Sequence, residues 1–136
     1  METTIKNILN LFEQFKALNG YNKVVNVNGQ DSVVNTPYQF DSKTVWNISR
    51  NLNILRKHIT NYEASTDMAM LQMGIDKKTG TTDPVKIKEF NKANTDFLAE
   101  VVTLDKLFMI KYTGLNVDKN PIPAGVIAEL SDFIEE

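Results

Sequence analysis

The sequence predicts a mainly α fold of the α+β class: a long antiparallel helical hairpin with N- and C-terminal helices and a small β-hairpin. Three observations predict it. Apolar residues recur at alternating steps of three and four over residues 45–73 and again over 87–104. A polar, glycine-containing stretch joins those two runs, and a valine-rich stretch around Asn28-Gly29 has the chemistry of a tight turn between strands. One domain spanning residues 1–136 is the expectation, because a chain of 136 residues with 42% hydrophobic and 9% aromatic side chains can bury a single core.

The elements follow in order. Ile5, Ile8, Phe12 and Phe15 share one face, widened by Leu9, Leu11 and Leu18 and stopped by Asn19-Gly20, which predicts a first helix over residues 3–19. Between Lys23 and Asn35 the period becomes that of strands. Val24 to Val27 and Ser32 to Val34 flank Asn28-Gly29-Gln30-Asp31, and a four-residue loop would set Val25 opposite Val34. Such a hairpin is marginal when alone. Asp41 has the chemistry of an N-cap, with Phe40 and Val45 placed for a hydrophobic staple. The seam Val45, Ile48, Leu52, Leu55, Ile59, Tyr62, Thr66, Ala69 and Met73 follows and should end near Gly74. Ile75 to Thr82 reads as a connecting loop, and Asp83-Pro84 restarts a helix with a cap and a proline at the first helical position. Ile87, Phe90, Asn94, Phe97, Val101 and Leu104 carry its seam.

Two heptad-patterned helices joined by a short polar loop should fold back on each other. With Ala69 near Ile87, the layers pair Thr66 with Phe90, Tyr62 with Asn94, Ile59 with Phe97, Leu55 with Val101 and Leu52 with Leu104. Tyr62 and Asn94 are the register-setting pair, since two polar side chains in one seam layer satisfy each other in a single alignment. Phe108, Ile110 and Tyr112 alternate as in a strand, although the preceding helix could run on through them; a strand that joins the valine hairpin is favoured. Thr113 to Pro121 is a loop. Pro123 opens a last helix with Val126, Ile127, Leu130, Phe133 and Ile134 inward, and Asp132, Glu135 and Glu136 oppose its dipole, so its end should fray unless a cation nearby compensates.

Composition narrows function. A formal net charge of −2 gives no field strong enough to imply a polyanion, so any basic surface must be local. Without cysteine there is no disulfide framework, thiol nucleophile or thiolate metal site. Met1-Glu2-Thr3-Thr4 lacks the pattern of a signal peptide, and no apolar run approaches the ~18 residues a spanning helix needs, so the expected location is the cytoplasm. Asp76-Lys77-Lys78-Thr79-Gly80-Thr81 has the residues of an aspartyl-phosphate loop, but with one lysine too many and no parallel sheet to present it; a solvated loop is the better reading. Lys78-Thr79-Gly80 has no Ser-x-x-Lys partner. His58, the one histidine, falls at a flanking position beside Arg56 and Lys57, where a solvated side chain is expected. No catalytic residue, metal ligand, cofactor or small-molecule substrate is implied.

Two surface features remain. Lys43, Arg50 and Lys57 share one heptad position, with Trp46 one turn from Arg50, a pattern able to contact phosphates and stack a base. The competing and favoured reading is a solvated face with Trp46 tucked against the β-hairpin. The second feature is Met68, Met70, Leu71 and Met73 at the end of the long helix, where apolar residues occupy every side. They either pack beneath the first or last helix or form an adaptable contact surface for a partner or a second copy.

Val45-Trp46-Asn47-Ile48-Ser49-Arg50-Asn51-Leu52, Phe90-Asn91-Lys92 with Phe97-Leu98, and the ending Ile122-Pro123-Ala124 through Phe133-Ile134-Glu135-Glu136 together resemble a group of small helical proteins encoded by tailed bacteriophages and prophages. The valine hairpin departs from that group. The resemblance implies a phage context, in the host cytoplasm or the virion, and carries no catalytic residue. The expected function is therefore non-enzymatic: protein–protein contact in virion assembly or as an accessory factor, with either a protein partner or a second copy of the chain expected. The alternatives are an inhibitor of a host nuclease or defence protein, and a nucleic-acid-binding module on the basic helix face. No membrane partner is expected.

Overall fold

Capping chemistry fixes where the long helix begins. In a computed structural model, which describes all of residues 1–136, the Asp41 carboxylate accepts from the Thr44 amide at 2.7 Å and α2 runs from Ser42 to Met73. At about 1.5 Å per residue its 32 residues span about 48 Å. It ends at Gly74, whose φ of 68° is open to glycine at little cost, and the Ile75 amide reaches back to the Met70 carbonyl at 2.9 Å. The fold is mixed α+β, and the chain divides into two compact units: residues 1–10 with 54–105, and residues 11–53 with 106–136. No helix is long and apolar enough to cross a membrane.

In the first unit, β1 (Glu2–Thr4) leads into α1 (Ile5–Lys16), whose first turns belong here. The later part of α2 is followed by a loop and by α3 (Pro84–Ala99), which Asp83 caps by accepting from the Val85 amide at 2.9 Å. The Tyr62 hydroxyl donates to Asn94 Oδ1, joining the two residues that the heptad spacing assigns to one layer. The second seam departs from its expected course. α3 ends at Ala99, and β4 (Val101–Thr103) pairs antiparallel with β1, Thr3 opposite Val102. Val101 and Leu104 are therefore not helical, and Val101 is 58% exposed instead of facing Leu55. The β-branched run Val101-Val102-Thr103 favours extended backbone, and Glu2–Thr4 supplies the partner that the helical spacing did not reveal. The same pairing makes residues 3 and 4 strand, so the first helix starts at Ile5.

In the second unit, β2 (Tyr21–Val27) and β3 (Gln30–Thr36) form an antiparallel hairpin. The turn is two residues long, not four. Asn28 and Gly29 hold φ of 53° and 80°, the geometry that Asn-Gly accepts readily, and the register sets Val24 opposite Val33 and Val25 opposite Ser32. Tyr38 stacks on Tyr21 at the base of this hairpin, 5.2 Å between ring centres, and donates its hydroxyl to the Pro121 carbonyl at 3.3 Å. β5 is only Ile110–Lys111 and does not join the valine hairpin. It pairs in parallel with β6 (Ile134–Glu135), so the chain's end is a short strand and not a fraying helix. Between them lie α4 (Tyr112–Leu115), where a loop was expected, and α5 (Ala124–Glu129). Leu115 and Leu130 are buried there, and Phe15 meets Phe133 with ring centres 6.1 Å apart.

Candidate functional site

The first candidate is built on the opening turns of α2, in the second unit. A helix places residues four apart above one another, and the Arg50 guanidinium lies 5.0 Å from the Trp46 ring centre. It is also 4.6 Å from the Phe108 ring, so the cation sits between two aromatic faces. Trp46 is 59% exposed; it is not tucked against the β-hairpin. Lys43 lies one turn earlier and lines a cleft of about 150 Å³ with Asp41, Asn47, Lys111, Gly114 and Glu135 among its walls. Two lysines and two carboxylates share that cleft, so its charge is mixed. The backbone amide of Thr44, together with its side chain, holds the Asp41 carboxyl below its ordinary range, and Asp41 is accordingly an anion. Lys57 lies farther along the same helix, beyond Asn53, in the other unit.

Phe108 is held in place by a residue that sequence reasoning missed. Asn51 is fully buried; its Nδ2 donates to the Phe108 carbonyl at 2.9 Å and its Oδ1 accepts from the Phe108 amide at 2.7 Å. One turn earlier, Asn47 donates to the Met109 carbonyl at 3.3 Å. An asparagine amide used this way replaces a neighbouring strand, satisfying both backbone groups of an extended segment laid on a helix. The signal was present: Asn51 is three residues after Ile48 and four before Leu55, on the apolar stripe. Asn120 does the same for Gln39, accepting from its amide at 2.9 Å and donating to its carbonyl at 3.0 Å.

The second candidate lies in the first unit, at the end of α2. Leu71 is 79% and Met68 62% exposed, so neither is packed beneath another helix. Met70 and Met73 are half-buried, and Met70 lines a shallow groove with Leu71, Gly74 and Ile75. The charges around this groove are already satisfied. Lys77 pairs with Asp67 at 2.9 Å, and the Asp76 carboxyl, accepting from the Thr79 and Lys78 amides, is held below its ordinary range. What the tip offers a partner is apolar surface. No three carboxylate or histidine side chains converge anywhere in the chain. No protein-family model matches the sequence, and neither curated proteins nor solved structures give a significant match.

Proposed function

We propose that this is a non-enzymatic, phage-type protein that acts through protein–protein contact, in virion assembly or as an accessory factor. In this reading α2 and α3 form an antiparallel helical hairpin that carries Met68 and Leu71 at its tip. The hydrogen bond between Tyr62 and Asn94 supports that register, as does the half-burial of Ile59, Thr66, Phe90 and Phe97 along both seams. α3 buries none of its residues fully, and Val85 and Ile87 in its first turn are exposed. The observation that carries the reading is the exposure of Leu71 and Met68 beside a groove whose charges are paired. Flexible, polarizable side chains in such a place suit an adaptable contact.

The test places a photo-crosslinking residue at position 71 and irradiates cells of the natural host. A single discrete adduct that disappears when Met68 is also replaced by lysine is expected. An adduct with a virion component places the protein in assembly, and one with a host nuclease or defence factor makes it an inhibitor. No adduct, or one indifferent to Met68→Lys, overturns the tip as the contact. A second reading, nucleic-acid binding, rests on Arg50 between Trp46 and Phe108 with Lys43 nearby. It fails if single-stranded DNA and RNA do not bind even at low salt, where phosphate contacts are strongest.

A further inference from the structure

The β2–β3 hairpin is the part of the chain least accounted for by its own fold. Eleven of its fourteen strand residues are exposed, five in β2 and six in β3. The extended contact of each of its strands is with the other. Val24 and Val33, directly opposite each other, are each 65% exposed, and Val34 and Val27 are 46% and 57% exposed. A two-stranded ribbon is marginal in water, and a third or fourth strand is the usual remedy.

Its two edges are not equivalent. β2 carries Lys23, and an edge lysine discourages further pairing. β3 has no lysine and no proline between Gln30 and Thr36, and its one charge is Asp31. The two-residue turn makes Val27 and Gln30 the first hydrogen-bonded pair. Alternation then leaves the amides and carbonyls of Asp31, Val33 and Asn35 aimed away from β2.

We propose that the hairpin pairs with the hairpin of a second copy of this chain, β3 against β3, antiparallel, with the two-fold axis at Val33. This register is self-complementary, as a two-fold contact requires. Val33 faces Val33 of the second copy, and Asp31 faces Asn35 in both directions, so the outward amides and carbonyls of three residues on each strand are satisfied. No like charges meet. Asp31 already accepts from Asn26 at 3.1 Å, and its carboxylate retains lone pairs for the Asn35 amide. One face of the resulting four-stranded sheet carries an unbroken row of four valines, Val24 and Val33 from each copy, flanked by asparagines and aspartates. A register centred on Ser32 or Val34 would instead turn the satisfied edge groups towards each other. The proposal does not use Met68 or Leu71, and the variants below keep both.

Light scattering across a dilution series tests it on the wild-type chain, Val33→Lys and Val24→Lys, each checked for retained structure by circular dichroism. The wild type should reach twice the 15.4 kDa monomer mass as concentration rises. Val33→Lys sets two ammonium groups against each other at the axis and should weaken self-association by at least about tenfold. Val24→Lys makes the same change on the same face and breaks the same valine pair within the hairpin, but lies away from the seam and should still dimerise. A wild type that stays monomeric overturns the proposal. So does loss of the dimer in Val24→Lys but not in Val33→Lys, which would place the contact on β2, and so does equal loss in both.

Discussion

Asn51→Leu is the substitution that most sharply tests how the second unit is held together. Leucine nearly matches asparagine in size, and position 51 is fully buried among apolar neighbours on the helix, so transfer free energy alone favours the change. The hydrogen bonds argue the other way. Leucine offers nothing to the Phe108 amide and carbonyl, which now bond to Asn51 at 2.7 and 2.9 Å. Each stranded backbone group costs about 1–3 kcal/mol, and the gain from burying leucine offsets part of this, for a net loss of about 2–4 kcal/mol. That corresponds to a fall in Tm of roughly 6–12 °C. Urea unfolding followed by circular dichroism gives the free energy directly. Asn51→Asp adds a second readout. The carboxylate keeps the bond from the Phe108 amide but sets a buried charge against its carbonyl, so burial raises its folded pKa above the unfolded value. A raised folded pKa gives stability that is full below the unfolded pKa and is lost as pH rises through the folded pKa. Asn51→Asp should therefore be closest to wild type in mild acid and weaken towards neutrality. If Asn51→Leu lies within 0.5 kcal/mol of wild type, on the scale of ordinary surface substitutions, the Phe108 backbone finds other partners and the reasoning fails.

Gly114→Ala would set a methyl group 2.3 Å from Thr44 Oγ1, and Thr44 is buried, so a loss of about 1–3 kcal/mol is expected. The double variant with Thr44→Ala should recover most of it, and strict additivity in a double-mutant cycle would show that the two residues do not meet. The Asp41 carboxyl is held below its ordinary range by the Thr44 amide, so its contribution to stability is present above the unfolded carboxylate pKa and lost as pH falls through the folded one. Asp41→Asn keeps a capping oxygen without the titration; its acid limb should be shallower than that of the wild type, and an unchanged limb would refute the assignment.

Much of the helical pattern was legible because it is local. Asp41 and Asp83 announce their helices by capping chemistry, Gly74 its stop, and Tyr62 with Asn94 stand out as polar residues at seam positions. What was not legible depends on partners far along the chain. Val101-Val102-Thr103 fits a helical seam by spacing and becomes a strand only because Glu2–Thr4 is there to pair with it. Ile110–Lys111 alternates as a strand should, yet its partner is the parallel strand Ile134–Glu135, which the spacing of Phe133 and Ile134 disguises as helix. In the hairpin the turn chemistry was read correctly, but its length was not. The two-residue Asn28-Gly29 turn slides the strands by two positions, so that Val25 meets Ser32 instead of Val34, and because the shift is even each side chain keeps its face.

Of the candidate sites, the sequence marked Trp46 and Arg50 but not Phe108, because the ring reaches Arg50 only through the Asn51 clamp. The methionine-rich turn was marked by composition, and its exposure needed the fold. The contrast between polar and apolar groups is what gives these surfaces meaning. No fully buried side-chain nitrogen or oxygen lacks a partner, and four bonds from the buried Asn51 and Asn120 are spent on the backbone of Phe108 and Gln39 alone. A chain whose interior polar groups are satisfied so completely is not loosely specified, so the exposure of Val24, Val33, Met68 and Leu71 is not explained by slack packing. Each of these side chains could have been polar without loss to either unit's own core. Their presence as apolar surface is the physical reason to look for what covers them, with the lysine-free, self-complementary edge of β3 suited to a second copy and the adaptable methionine tip to a different partner.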